Sequence, residues 1–139
     1  MTETSLTSAQ MRRVKKALTT VPYAKFLGLE LTEIAPGTAT LVLPVRKELT
    51  QNHGVVHGGA VASLIDSATA FAIITLLEPT ERVTTIDLTI SYLRPVTTGQ
   101  MRGVARVIRA GRRVFCASAD VFDSRGRLTA TALTTYIKI

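Results

Sequence analysis

The sequence predicts an α+β domain in which a curved antiparallel sheet wraps one long central helix, with a short helix ahead of it. Three observations carry this. The run from about Gly58 to Leu77 is apolar on nearly every side, so it must be covered nearly all round. Period-two alternation marks the strands, most cleanly from Thr84 to Tyr92. The links in the second half are too short for anything but antiparallel neighbours. At 139 residues the chain fits a single domain, 1–139, with 1–21 as an N-terminal helical extension.

The elements follow in order. Thr7-Ser8-Ala9-Gln10 fits a capping box, with Thr7 as N-cap and Gln10 reaching back. Met11, Val14 and Leu18 follow at helical spacing, while Arg12, Arg13, Lys15 and Lys16 face away as a wet face. Val21-Pro22 stops this helix, because the residue before proline avoids the α region. Leu29–Ile34 and Thr38–Val45 read as strands joined at the turn dipeptide Pro36-Gly37. The loop Arg46–Val56 leads into the long helix, which Glu78-Pro79 ends. In the next strand Thr84, Ile86, Leu88, Ile90 and Tyr92 share one face, and Thr85, Asp87, Thr89 and Ser91 the other. Strands Met101–Arg109, Val114–Phe122 and Leu128–Ile137 complete the chain, joined at Ala110-Gly111 and at Asp123-Ser124-Arg125-Gly126.

Composition removes several classes of function. A hydrophobic content of 46% excludes disorder. The single cysteine, Cys116, can form neither an internal disulfide nor a zinc cluster, and its strand position reads as core. The N-terminus lacks the apolar region of a signal peptide. Gly54–Leu77 approaches bilayer length, but Asp66 near its centre would cost about 2.5–3.5 kcal/mol there, so no membrane span is expected. A cytoplasmic protein is the expectation. His53 and His57 stand four apart, yet the glycines beside them break a helix and no third ligand follows, so no metal is expected. The net charge of +7 suggests an anionic partner, but aromatics are 5%, without Trp and without interleaving among the basic residues. Nucleic acid is therefore not expected.

The informative segment is Gln51-Asn52-His53-Gly54-Val55-Val56-His57-Gly58-Gly59, followed by the helix that holds Asp66. Two glycines at a helix start allow close backbone approach, and the free N–H groups there favour a carbonyl oxygen turning into an oxyanion. Asp66 lies roughly 12 Å further along by helical rise. A carboxylate in that position is expected to meet water, a hydroxyl or a cleft. His57 and Asp66 are about half a turn out of phase, so they do not form a base–orienter pair within one chain. One substrate reaches both places only if a cleft runs along the helix or a second subunit closes it.

The same residues carry a resemblance. His57-Gly58-Gly59, preceded by Gln51-Asn52-His53-Gly54 and followed by Leu64-Ile65-Asp66, is similar to the signature of hotdog-fold acyl-CoA thioesterases of the phenylacetate-pathway, PaaI-like type. The likeness extends through Thr85-Ile86-Asp87-Leu88-Thr89-Ile90-Ser91-Tyr92-Leu93-Arg94-Pro95 and covers roughly 22–139. It implies that Asp66 is the catalytic carboxylate, as general base on water or as nucleophile, and that the Gly58 amide polarises the thioester carbonyl. Gln51 or Asn52 helps to place the carbonyl or the water. The family's loop amide commonly lies six residues before the His of His-Gly-Gly, which here is Gln51 rather than an asparagine. Thr85, supplied by the partner subunit, hydrogen-bonds the attacking water. His57 and Gly59 belong to the substrate-binding loop, with His57 stabilising it more than transferring protons. The implied active unit is a homodimer, paired again into a homotetramer. Coenzyme A enters as part of the substrate, and no cofactor is expected.

The resemblance also gives the basic charge a use. Arg94, Arg109, Arg112 and Arg113 stand around strand ends and one tight turn, as a candidate clamp for the phosphates of coenzyme A. Two other functions compete with hydrolysis. An acyl-thioester dehydratase or hydratase on the same fold would carry an Asp-Asn-Pro-type loop, which this sequence lacks. A non-catalytic acyl-CoA-binding module would be marked by loss of Asp66, which is present.

Overall fold

The computed structural model describes residues 5–139; residues 1–4 of the expected N-terminal extension lie outside them. The first helix, α1 (Ser8–Thr20), opens on the expected capping box. Thr7 Oγ1 accepts the Gln10 N–H at 3.1 Å, and Gln10 Oε1 accepts the Thr7 N–H at 2.7 Å. Val21 is extended, as a residue before proline should be. Pro22 does more than stop α1, because it is the first residue of a second helix, α2 (Pro22–Leu27), where its missing N–H costs nothing. The sequence reading has only a stop at this point.

Six strands follow: β1 (Glu30–Ala35), β2 (Thr38–Pro44), β3 (Val83–Tyr92), β4 (Gln100–Ala110), β5 (Val114–Phe122) and β6 (Leu128–Lys138). They form one curved antiparallel sheet in the order β1-β2-β4-β5-β6-β3. The β1–β2 turn places Gly37 at φ 77°, a conformation that glycine adopts without steric cost. Between β2 and β3 the chain makes short turns at Lys47–Leu49 and Asn52–Gly54 before the central helix, α3 (Gly58–Ile74).

Helix α3 packs against β2, β4 and β5, sharing a core with Leu41, Leu43, Met101, Ala105 and Val121. Gly103 on β4 makes the close approach possible, since a Cβ there would stand 3.0 Å from Leu64 Cγ. The sheet covers only one side of the helix. Along the other, Ser63, Asp66, Ser67 and Ala70 are half-buried and Gly59 is exposed.

The regular part of α3 ends at Ile74, short of the expected Leu77. Thr75 ends it by donating its hydroxyl to the Ala72 carbonyl while accepting the Gly37 N–H at 2.8 Å. Arg13 then reaches across from α1 and donates to the carbonyls of Leu77, Glu78 and Glu81. These carbonyls lie in the connection between α3 and β3, so Arg13 ties that connection to α1. Arg13 is therefore not part of a wet face, contrary to the expectation for α1.

One irregularity in the sheet corrects the sequence reading of β3. The pairing of β3 with β6 slips between Thr85 and Asp87, leaving Ile86 as a bulge. The extra residue turns Ile86 out to solvent, 56% exposed, and puts Thr85 on the helix side with Leu88 and Ile90. Strict alternation had assigned Thr85 to the opposite face.

Candidate active site

The loop before α3 builds the first half of the site. A backbone bridge between Thr50 and Val56, with the Gln51 N–H donating to the Val55 carbonyl at 2.8 Å, closes it into a compact turn. His53 inside that turn sits at φ 74°. His57 is the N-cap of α3, and its Nδ1 accepts the Gly59 N–H at 2.8 Å. That bond makes Nδ1 the acceptor nitrogen of the ring. It also occupies the Gly59 amide. The Gly58 amide one residue earlier has no acceptor among the described residues, as expected of the first N–H of a helix.

Gly58 opens onto a cleft of roughly 330 Å³ lined also by Gln51, Val61, Tyr92 and Arg94. Tyr92 donates its hydroxyl to the Gly58 carbonyl at 2.8 Å, and a Cβ on residue 58 would come within 3.3 Å of that oxygen. Of the two candidate loop amides, Gln51 lines the cleft and Asn52 does not.

Asp66 builds the second half. Its Oδ1 accepts two hydroxyls, Thr85 at 2.8 Å and Tyr136 at 2.6 Å. Thr85 comes from β3 of the same chain, so it and Asp66 belong to the same half of the site. The bulge at Ile86 is what brings it there. Tyr136 projects from β6, is 2% exposed, and its hydroxyl also stands 2.6 Å from the Asp66 backbone carbonyl, an alternative acceptor. Burial first, and the Asp66 carboxylate second, push the Tyr136 phenol above its ordinary range near 10.0. Tyr136 therefore stays protonated and acts as a donor to the carboxylate.

The two halves do not meet within one chain. Asp66 does not line the cleft at Gly58, from which helical rise separates it by roughly 12 Å. The arginines divide as well. Arg94 lies on the cleft at the Gly58 end, donating to the Leu128 carbonyl at 3.4 Å. Arg109, Arg112 and Arg113 sit at the other end, around the β4–β5 turn. The eleven-residue strand β4 sets the separation, roughly 35 Å, so the four do not form one clamp in a single chain.

Two residues of this arrangement escaped the sequence reading as site residues, Tyr92 and Tyr136. Tyr92 stands in a run already notable for its alternation, but nothing local ties it to Gly58. Tyr136 reaches Asp66 across 70 positions, a pairing no spacing argument can find.

A backbone amide free at a helix start and, about two turns further along, a half-buried carboxylate held by hydroxyls, on a helix wrapped by an antiparallel sheet, are the arrangement the hotdog thioesterase resemblance implies. Known proteins agree. The model of the thioesterase superfamily matches residues 53–130. The 1,4-dihydroxy-2-naphthoyl-CoA hydrolase of Escherichia coli is 29% identical over 113 residues, 81% of this chain and 83% of that one. A thioesterase family protein from Silicibacter pomeroyi superposes with TM-score 0.89 at 28% identity, covering 94% of this chain and 98% of that one. A point mutant of the phenylacetic acid degradation protein PaaI from Thermus thermophilus does so with TM-score 0.78 at 28% identity, covering 85% and 99%. The chain belongs to the thioesterase superfamily, as a PaaI-like hotdog enzyme that hydrolyses acyl-CoA thioesters. No helix among the described residues is long and apolar enough to cross a membrane.

Proposed function

We propose that the enzyme hydrolyses aromatic or medium-chain acyl-CoA in the cytoplasm, in a site completed between two copies of the chain. One copy supplies Gly58 and Gln51, and the other supplies Asp66. The observation that carries this reading is the free Gly58 amide at a cleft that Asp66 of the same chain does not line. The open flank of α3, with Asp66 among small side chains, is where a second copy closes the site.

In this mechanism the Gly58 N–H binds the thioester oxygen, and its hydrogen bond strengthens as that oxygen gains charge. Gln51 orients the carbonyl beside it. Asp66 takes a proton from the attacking water as the C–O bond forms. Collapse of the tetrahedral intermediate breaks the C–S bond, and the thiolate of coenzyme A leaves and takes up a proton. A thioester is already activated, so amide polarisation and one carboxylate are sufficient chemistry. Arg94 at the cleft mouth is placed to meet a phosphate, with Arg109, Arg112 and Arg113 available from another copy. Pairing of such dimers into a tetramer belongs to the same reading. The naphthoyl-CoA activity of the Escherichia coli relative supports an aromatic acyl group.

The test is thiol release over a panel of aromatic and straight-chain acyl-CoAs. Wild type is expected to turn over the aromatic or medium-chain members, and Asp66→Ala to lose about a hundredfold or more in kcat while remaining folded. Wild-type turnover by that variant would remove Asp66 from the mechanism.

A further inference from the structure

We propose that Tyr136 is a positioning residue for hydrolysis: with Thr85 it holds Asp66 by Oδ1, leaving Oδ2 as the oxygen that takes the proton. This rests on the catalytic role of Asp66 proposed above and adds which atom acts and what selects it.

The geometry is specific. Thr85 Oγ1 and the Tyr136 hydroxyl both donate to Oδ1, at 2.8 and 2.6 Å, from strands on the same sheet edge. Two charge-assisted donors fill the lone-pair directions of that oxygen. Oδ2 has no partner among the described residues, and Asp66 keeps partial exposure along the open flank of α3. The carboxylate is thus fixed in rotation with one oxygen tied and the other presented.

Tyr136 has a second acceptor at the same range. Its hydroxyl stands 2.6 Å from the Asp66 carbonyl and 2.9 Å from Thr69 Oγ1. One hydroxyl hydrogen serves either the carboxylate or the carbonyl. While Asp66 is ionised, Oδ1 is the stronger acceptor. Once Oδ2 takes a proton, the hydrogen can turn to the carbonyl and leaves no buried hydroxyl unpaired. The phenol ring itself is held by Ile73, Leu77, Phe115 and Ala117, so the hydroxyl is positioned by the core rather than by the substrate. Other groups near this corner are Thr69 on α3, Arg13 from α1, Glu81 and Arg82 ahead of β3, and Lys138 on β6, which pairs with Glu81. None of these charged side chains hydrogen-bonds Asp66.

The experiment compares Tyr136→Phe with wild type on the best acyl-CoA of the panel, measuring kcat, KM and kcat/KM against pH. The expected result is a kcat lower by about tenfold to a hundredfold, with KM within about a factor of two. The acid limb of kcat/KM moves to higher pH, because the ionised carboxylate has lost a donor. A wild-type kcat and pH profile would overturn the proposal, as would a rise in KM alone. Thermal melting checks the fold. If Tyr136→Phe does not fold, site-specific 3-fluorotyrosine at 136 keeps ring and hydroxyl but donates more strongly. The acid limb must then move to lower pH, and an unmoved limb overturns the proposal. A wild type inactive on the whole panel removes the underlying reading, and this one with it. An active wild type with an unperturbed Tyr136→Phe removes this one alone.

Discussion

His57 shows how a residue that looks reactive is committed to architecture. Its Nδ1 caps α3 at Gly59, and its carbonyl accepts from Ala60 and Val61, so the imidazole fixes the position of the Gly58 amide. Replacing His57 by Ala is expected to cost about 1 kcal/mol, the usual worth of a side-chain cap, read as a lower urea midpoint. His57→Asn restores an acceptor at the cap and should recover most of that loss. Tyr136 gives the residue scale a pH signature. Its folded pKa is raised above the unfolded value of 10.0, so its stabilising effect is complete below that value. It fades as pH rises beyond 10, where the unfolded chain ionises first and binds fewer protons than the native one. Urea midpoints of wild type should therefore fall above about pH 10 more steeply than those of Tyr136→Phe.

Among the elements, β3 and α1 carry the decisions. Ile86 is a one-residue insertion into the β3–β6 ladder, and the bulge that absorbs it keeps Thr85 on the inner face, at Asp66. Deleting Ile86 would restore strict alternation and leave Thr85, now beside Asp87, on the inner face with Leu88. The deletion variant should form the sheet and keep kcat within about threefold of wild type, whereas Thr85→Val, which removes the hydroxyl from Asp66, should lose about tenfold in kcat. For α1, the guanidinium of Arg13 is the contact that matters, donating to carbonyls beyond the end of α3. Arg13→Met keeps much of the side-chain bulk and removes those donors. A loss of about 1–2 kcal/mol, measured by denaturant unfolding, is expected.

At the scale of the whole molecule, the site is divided. Gly58 and Gln51 face one cleft, and Asp66 with Thr85 opens on the flank of α3. A site shared between copies predicts complementation. Gln51→Ala and Asp66→Ala, each nearly inactive alone, are mixed, unfolded and refolded together. Half of the resulting dimers are mixed, and each of those has one intact site, so about a quarter of wild-type activity should return by random two-fold pairing. Activity equal to the average of the separate variants would place both halves of the site in a single chain.

The sequence by itself determined the elements and the chemical vocabulary. Period two and period 3.6 are local properties, so the strands, the capping box at Thr7 and the apolar helix could be read directly, to within a few residues at their ends. Asp66 and Gly58 were legible because a charge in an apolar helix and paired glycines at its start are anomalies of composition. The second helix at Pro22 was not, since a proline that ends one helix and begins another gives the same local signal as a plain stop. Tertiary structure alone decided the rest. It set Gln51 rather than Asn52 on the cleft by the fold of a loop, and it placed Thr85 inward through a bulge that β-pairing reveals and alternation conceals. It separated Arg94 from Arg109, Arg112 and Arg113 by the length of a strand, and delivered Tyr136 to Asp66. Each of these depends on register between strands distant in sequence. Register is set by the packing of the whole sheet against α3, which no local pattern encodes.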